Sequence, residues 1–330
     1  MESYKIIEYT NDYRESLRLY LHKIYPDYTD AYIDYCVHYS VKNHSEEQSS
    51  LLVVNGRGEI VGCHLYYNTK AKVCGIEMNV RWGHDTYLDV IFRHKTHFPL
   101  VISKIDAFGI GLSEVNKKIQ KHYNILFFDN LNNYLWVNKC LIGGLFRTII
   151  KKESKGFKAL ERIVFKDYYF RKANNVEDLI IPEDGYWCND NVDVDFIRDR
   201  DFFEYRFFNN KVHSYFVYHL DNGKDYDVCY FVVRPIRFRQ METLFIVDFR
   251  YDLSCPQQLK AILNAANTLA KHNKIGVVLF TSNDTTVNMF YNRLNWKKSP
   301  IDLYAKGRYK TLEGASLFVT AADSDVDFLR

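Results

Sequence analysis

The sequence holds no long apolar run. Its longest stretches reach about eight residues, whereas a helix crossing a bilayer needs roughly 20, so no transmembrane helix is expected. The opening residues, Met1-Glu2-Ser3-Tyr4-Lys5, lead into polar sequence without the apolar segment of a signal peptide. No C-x-x-C pair occurs, and the seven cysteines, Cys36, Cys63, Cys74, Cys140, Cys188, Cys229 and Cys255, are odd in number and widely spaced. That disfavours a disulfide framework and a zinc site and suits a reducing cytoplasm, the expected location. There is no basic run either. Lys and Arg total 44 against 41 Asp and Glu, a net charge of +3, so the basic stripe of a nucleic-acid binder is not expected. The patterns G-x-x-x-x-G-K-[ST], G-x-S-x-G and H-E-x-x-H are all missing, which removes P-loop, nucleophile-elbow and zincin chemistry.

What is present is globular: 47% hydrophobic and 26% charged residues over 330 positions, a length comfortable for two domains. The 26 Tyr and 23 Phe read chiefly as strand formers that fill cores. The pair His94 and His97 has metal-ligand spacing but no evident third ligand, and a surface or interface pair is the simpler reading.

In the first half, a strand over Tyr4–Tyr9 precedes a helix with Asn11 or Asp12 as N-cap and Leu17, Tyr20, Leu21 and Ile24 on its apolar side. Pro26 stops it, and residues 28–41 read as a second helix. Leu51–Val54, Asn55-Gly56-Arg57-Gly58 and Ile60–Tyr66 form a hairpin signal, since Asn-Gly favours the positive φ of a tight turn. A strand is expected over Leu100–Ile105, then Gly109-Ile110-Gly111, a helix over Ser113–Tyr123 and a strand over Ile125–Phe128.

The second half repeats this order loosely. Strands are expected at Val212–His219 and Val228–Arg234 around a turn at Asp221–Lys224, and again at Thr243–Phe249. Pro256 opens a helix through Lys271, followed by a strand at Ile275–Phe280 and a short helix carrying Val287, Phe290, Tyr291 and Leu294. The division expected is 1–155 and 156–330, with a joining stretch at roughly 156–190.

Hairpin, strand, Gly-x-Gly, helix, strand, short helix is an order that resembles the GCN5-related N-acetyltransferases, the acyl-CoA N-acyltransferase superfamily. The segment Asp106-Ala107-Phe108-Gly109-Ile110-Gly111 is similar to the family loop Q/R-x-x-G-x-G/A, with Asp106 at the Gln/Arg position. Phe290-Tyr291-Asn292-Arg293-Leu294-Asn295-Trp296 is similar to its late Y-x-x-x-G-F segment. The resemblance implies an α/β (α+β) fold: two tandem domains, each a mixed, mostly antiparallel sheet flanked by helices. It implies acetyl-CoA, or coenzyme A, as co-substrate and transfer of an acyl group, acetyl foremost, to a small-molecule amine.

It further implies a coenzyme seat at Ile105, Phe108, Gly109, Ile110, Gly111, Leu112 and Ser113, where a helix start and glycines admit a pyrophosphate. Tyr291 matches the residue that protonates the departing thiolate. Asp106 and Glu77, with Asp129 beside them, are candidates to take the amine's proton. No metal, nucleic acid or membrane is implied, and a homodimer is compatible. In the first half Val137 stands where counting from Asn130 would put the tyrosine, whereas the second half lacks the glycine loop. Asp195 to Arg206 resembles the early segment of tandem acyltransferases acting on amino-sugar or cell-surface precursors, with Arg–Asp pairing on a helix surface as the plainer reading. Two alternatives stand beside the enzyme: a tandem that has lost catalysis and serves as a binding scaffold, and a FemABX-like aminoacyl transferase.

Overall fold

The structure is a computed structural model that describes residues 3–26, 28–35, 50–93, 95–111, 125–128, 131–137, 156–182, 185–189, 191–221, 229–238, 241–291 and 299–323. In chain order the strands are β1 Tyr4–Glu8, β2 Leu51–Asn55, β3 Ile60–Val73, β4 Ile76–Leu88, β5 Ala107–Ile110 and β6 Leu126–Phe127. Then come β7 Leu131–Val137, β8 Arg162–Phe165, β9 Tyr168–Ala173, β10 Tyr186–Trp187, β11 Val194–Phe196, β12 Arg198–Asp199 and β13 Phe216–Leu220. The last are β14 Tyr230–Phe238, β15 Met241–Arg250, β16 Val277–Ser282, β17 Ser299–Ile301, β18 Leu303–Lys306 and β19 Leu317–Phe318. The helices used below are α1 Arg14–Ile24, α2 Phe98–Ser103, α3 Arg200–Phe203, α4 Pro256–His272 and α5 Val287–Tyr291.

The chain divides into two units that are not contiguous in sequence. The first comprises Met1–Ala71, Glu77–Asp129 and Asp302–Ala315, the second Lys72–Ile76, Asn130–Ile301 and Ser316–Arg330. In the first, strands run in the order β1-β2-β3-β4-β5-β18-β6, so β18, from late in the chain, sits between β5 and β6. In the second the order is β17-β7-β16-β15-β14-β13-β9-β8, so β7, from the first half, pairs with β16. The 162–173 stretch, read from sequence as part of a join, is the β8–β9 hairpin at that sheet's edge.

The hairpin signal at 51–66 becomes β2 and β3, paired antiparallel. The Asn55 side chain accepts from the backbone of Arg57 and Glu59 at 2.9 and 3.0 Å. The positive φ falls at Gly58 (82°), so the turn is a three-residue loop closed by glycine rather than an Asn-Gly two-residue turn. In α1, Leu17, Tyr20 and Leu21 are buried, and with residues 30–35 they cover Leu52, Cys63 and Leu65. Neither Asn11 nor Asp12 caps it, because both lie within a 3-10 turn that runs into the helix. Val53, Val61 and Leu88 instead pack against Phe92 and, from α2, Phe98 and Ile102. The first sheet thus has apolar clusters of both kinds, one with α1 and one with α2.

The strand expected over Leu100–Ile105 is helix α2 and a turn. A short apolar run satisfies a buried helix as well as a strand, and Pro99 in the first helical turn is the signal that decides it. The expected glycine loop is also changed, since Ala107–Ile110 is strand β5. The helix expected over Ser113–Tyr123, the Asp221–Lys224 turn beyond Asp221, and the segment from Asn292 to Lys298 lie outside the described residues. In the second unit the reading of 243–280 is borne out by β15, α4 and β16. Leu259, Ile262, Ala265, Ala266 and Leu269 are buried in its core.

Candidate active site

In each unit a pair of parallel strands consecutive along the chain is joined through a helix, β4–β5 in the first and β15–β16 in the second, and in each the pairing stops before the strands do. In the first unit β4 meets β5 only at Trp82–Phe108 and Gly83–Gly109, while β4 runs on to Leu88. In the second, β15 meets β16 from Thr243–Val277 to Ile246–Phe280, then continues to Arg250 as β16 continues to Ser282. Strands that part at their carboxyl ends open a wedge in the sheet, where ligands of parallel sheets bind.

The wedge of the first unit has a floor without side chains. Gly83 and Gly109 are directly paired. A Cβ on Gly83 would meet the His64 ring at 3.0 Å, and one on Gly109 would collide with the Tyr304 ring. The missing side chains make room for His64 and Tyr66 of β3 and for Tyr304 and Lys306 of β18. Lys306 Nζ lies 2.7 Å from His64 Nε2 and donates to the Tyr66 hydroxyl at 3.3 Å. His64 Nδ1 bonds to Thr86 Oγ1 on β4. Lys306 and His64 are both buried, with 3% and 1% of their surface exposed. Burial, reinforced by the nearby Arg81 charge, brings the Lys306 amine down to about 7. Burial and the Lys306 charge hold the His64 imidazole well below its ordinary range, so it is neutral.

The next residue of β4 after the last paired one is His84. Its Nδ1 lies 3.0 Å from Asp85 Oδ2, and both side chains are 5% exposed. Its Nε2 is buried with no hydrogen-bond partner among the described residues. Asp85 has φ 42°, the left-handed region that few non-glycine residues adopt and that aspartate tolerates better than most. A strained residue inside a strand next to a wedge is a feature of functional sites.

Of the residues singled out from sequence, Phe108 is buried and stacks on Tyr309 with ring centroids 4.9 Å apart. Gly109 lies under Tyr304, and Gly111, with φ 73°, donates its N–H to the Asp302 carbonyl at 3.0 Å. Ile105 and Ile110 are half-buried, and Leu112 and Ser113 lie outside the described residues. Asp106 accepts from the Arg308 backbone at 2.6 Å and pairs with its guanidinium at 2.8 Å. Glu77 is exposed near the start of β4, before the paired residues. Tyr291 belongs to α5 of the second unit, and Asp129 lies outside the described residues. Sequence reading did not single out His64, His84, Asp85 or Lys306. The paired glycines at 83 and 109 were a signal only once β4 and β5 were known to be neighbours.

The wedge of the second unit is filled by the chain itself. Residues 317–323 bond to the end of β16: Ser282 Oγ donates to the Val319 carbonyl at 3.0 Å and Asn283 Nδ2 to that of Leu317 at 2.8 Å. On the β15 side, Thr320 Oγ1 donates to Asp248 at 2.7 Å. Arg198 grips Asp248 through Nε and Nη2 at 2.8 and 3.1 Å and reaches Asp323 at 2.5 Å. Arg250 bonds to Asp195 at 2.8 Å and Asp248 at 3.2 Å, and the Tyr230 hydroxyl donates to Asp248 at 2.9 Å. Burial works to raise the Asp248 carboxyl, but Arg198 and Arg250 outweigh it and hold it below the usual carboxylate range. Burial raises that of Asp195 in spite of Arg250. The Arg–Asp segment read as a helix-surface feature is therefore divided: Asp195, Arg198 and Arg206 are buried, Arg200, Asp201 and Glu204 are exposed with Arg200 paired to Glu177, and Asp199 caps the helix by accepting from Phe202 N–H at 2.9 Å.

No family model matches the sequence, and no curated protein matches it either. Solved structures do. A protein of unknown function from Enterococcus faecalis V583, described as a probable N-acyltransferase, aligns over 95% of this chain and 75% of its own, with TM-score 0.60 and 11% identity. N-myristoyltransferase of Saccharomyces cerevisiae with bound myristoyl-CoA aligns over 92% and 78%, with TM-score 0.56 and 12% identity. A GCN5-related N-acetyltransferase from Anabaena variabilis aligns over 94% and 75%, with TM-score 0.54 and 13% identity. The fold is that of the acyl-CoA N-acyltransferases. Coverage above nine-tenths of the chain means that the likeness extends to both units, as the tandem reading requires. Among the described residues no helix is long and apolar enough to cross a membrane, and no cluster of side chains is suited to a metal ion.

Proposed function

We propose that this protein transfers an acyl group, acetyl foremost, from acyl-coenzyme A to the amine of a small molecule, at the wedge between β4 and β5. The observation that carries the proposal is the wedge itself: strands parting over the Gly83–Gly109 floor, beside a lysine with an amine near 7 and a bare histidine nitrogen. An edge left unpaired offers backbone N–H and C=O groups to an extended chain, which suits a pantetheine arm. The coenzyme then has β4 beyond Gly83 on one side and Ile105 to Gly111 on the other. The bound myristoyl-CoA of the yeast structure supports acyl-coenzyme A as the co-substrate.

Within this reading Asp106 is the weaker of the expected proton acceptors, because Arg308 already engages its carboxylate. Glu77 is weaker too, being exposed at the far end of β4. Tyr291 keeps its role toward the thiolate only for a coenzyme site on the second unit, and residues 317–323 in that wedge favour the first.

Calorimetry with acetyl-CoA and myristoyl-CoA, followed by thiol release in the presence of amines, tests the proposal. Saturable binding and amine-dependent release are expected. No heat and no thermal shift at millimolar ligand would leave the scaffold reading. Gly111→Glu locates the site: it should abolish binding, because no atom of the described residues lies within 4 Å of an added Cβ and the new carboxylate would face the pyrophosphate. Gly111→Ala carries the same φ strain without the charge and should bind within a few fold. Equal affinity in wild type and Gly111→Glu would move the seat elsewhere.

A further inference from the structure

His84 and Asp85 form a dyad with the geometry of an oriented base. The Asp85 carboxylate lies 3.0 Å from His84 Nδ1, so Nδ1 carries a hydrogen and in the neutral ring the lone pair is on Nε2. That nitrogen has no partner among the described residues although the side chain is 95% buried. A buried polar atom left unsatisfied costs free energy, which a bound ligand or an ordered water would offset. His84 also stands at the apex of the wedge, one residue beyond the last β4–β5 pair. The φ of 42° at Asp85 bends the strand there, and adjacent strand side chains would otherwise point to opposite faces. The bend brings the neighbouring carboxylate round to the imidazole.

Resting on acyl transfer at this wedge, we infer that His84 is the catalytic residue that takes the proton of the attacking amine, and that Asp85 is the positioning residue that fixes its tautomer. The amine nitrogen forms a bond to the thioester carbonyl carbon, the carbon–sulfur bond breaks, and the electron pair leaves with the coenzyme thiolate. The proton lost by the amine passes to His84 Nε2 and from there neutralises the thiolate, so nothing beyond acyl-coenzyme A and the amine is consumed. The titratable groups shown beside the imidazole are Asp85 of β4 and His64 and Tyr67 of β3. His64 is neutral, so Asp85 is the charged group shown in direct contact with the ring.

The experiment compares wild type, His84→Gln and Asp85→Asn as full chains. Asparagine tolerates the left-handed backbone, so Asp85→Asn removes charge without new strain. In His84→Gln, kcat at pH 7 should fall about 100-fold or more with acyl-CoA affinity unchanged, and its acidic limb should vanish. In Asp85→Asn that limb should move to lower pH, because a carboxylate that stabilised the imidazolium is gone. A wild-type pH profile in His84→Gln overturns the assignment. NMR titration of the His84 ring adds a readout without turnover: its midpoint should drop in Asp85→Asn, and an unmoved midpoint overturns the dyad. Wild-type protein that binds no acyl-coenzyme A would instead defeat the acyl-transfer reading, while the titration still decides whether the dyad exists.

Discussion

The two wedges have the same backbone origin and opposite contents. Both arise where parallel strands separated by a helix cease to pair. In the second unit the gap is occupied by residues 317–323 and crossed by Arg198 and Arg250, which meet Asp195, Asp248 and Asp323 in a fully buried network. In the first unit the corresponding place holds a glycine floor, a buried lysine shifted toward neutrality and a histidine nitrogen with no partner among the described residues. One solution pairs its buried cations with carboxylates, and the other sets a buried lysine against the uncharged His64 and Tyr66. Satisfied networks specify structure, and unsatisfied ones mark places where chemistry waits for a ligand.

That contrast is most easily broken at Asp248. Asp248→Ala removes the carboxylate shared by Arg198, Arg250, Tyr230 and Thr320. Leaving two buried guanidinium groups without it should cost about 3–5 kcal/mol in urea unfolding. A loss under about 1 kcal/mol would show that the second wedge is not held by its charges.

Lys306→Met should act in the other direction. The amine falls from an ordinary 10.5 to about 7 on folding, so its burial weakens the fold wherever the unfolded chain would be protonated. That cost is absent above pH 10.5, grows as pH falls toward 7 and stays constant below. The variant should therefore gain on the order of 2–4 kcal/mol at pH 7, less the lost bond to His64. The rise in wild-type stability between pH 7 and 10 should flatten in the variant. Denaturant titrations at three pH values check both. Destabilisation at pH 7 would make Lys306 a satisfied structural group, and the two wedges would be alike.

Gly109→Ala is expected to give the smallest of these effects, about 1–3 kcal/mol of destabilisation by thermal melts. The added methyl collides with the Tyr304 ring. A neutral outcome would mean that the floor can give way and that its lack of side chains is incidental.

Much of the architecture was legible because it is local. Asn55 and Gly58 around a tight turn, Pro256 opening an apolar-faced helix, and the β-branched runs of β15 and β16 each contain their own physics. Where a local signal was ambiguous the reading failed: Leu100–Ile105 has the composition of a strand and the structure of a helix, with Pro99 as the missed sign. The Gly-x-Gly stretch failed differently. Gly109 exists to accommodate the ring of Tyr304, which lies nearly two hundred positions away, and no spacing rule encodes that. Asp195 and Arg198 looked like surface pairing until β15 and residues 317–323 supplied their partners.

Hydrophobic period and turn chemistry were enough to read an α/β order of hairpins, strands and helices, since each depends on neighbours a few residues apart, and the acyltransferase fold was an expectation carried by the resemblance of that order to a known family. Only the tertiary structure decided that β18 joins the first sheet and β7 the second, and so that Lys306 meets His64 across 242 positions. Burial sets the charge state of a lysine, and burial is a property of the assembled fold; no stretch of sequence carries it alone.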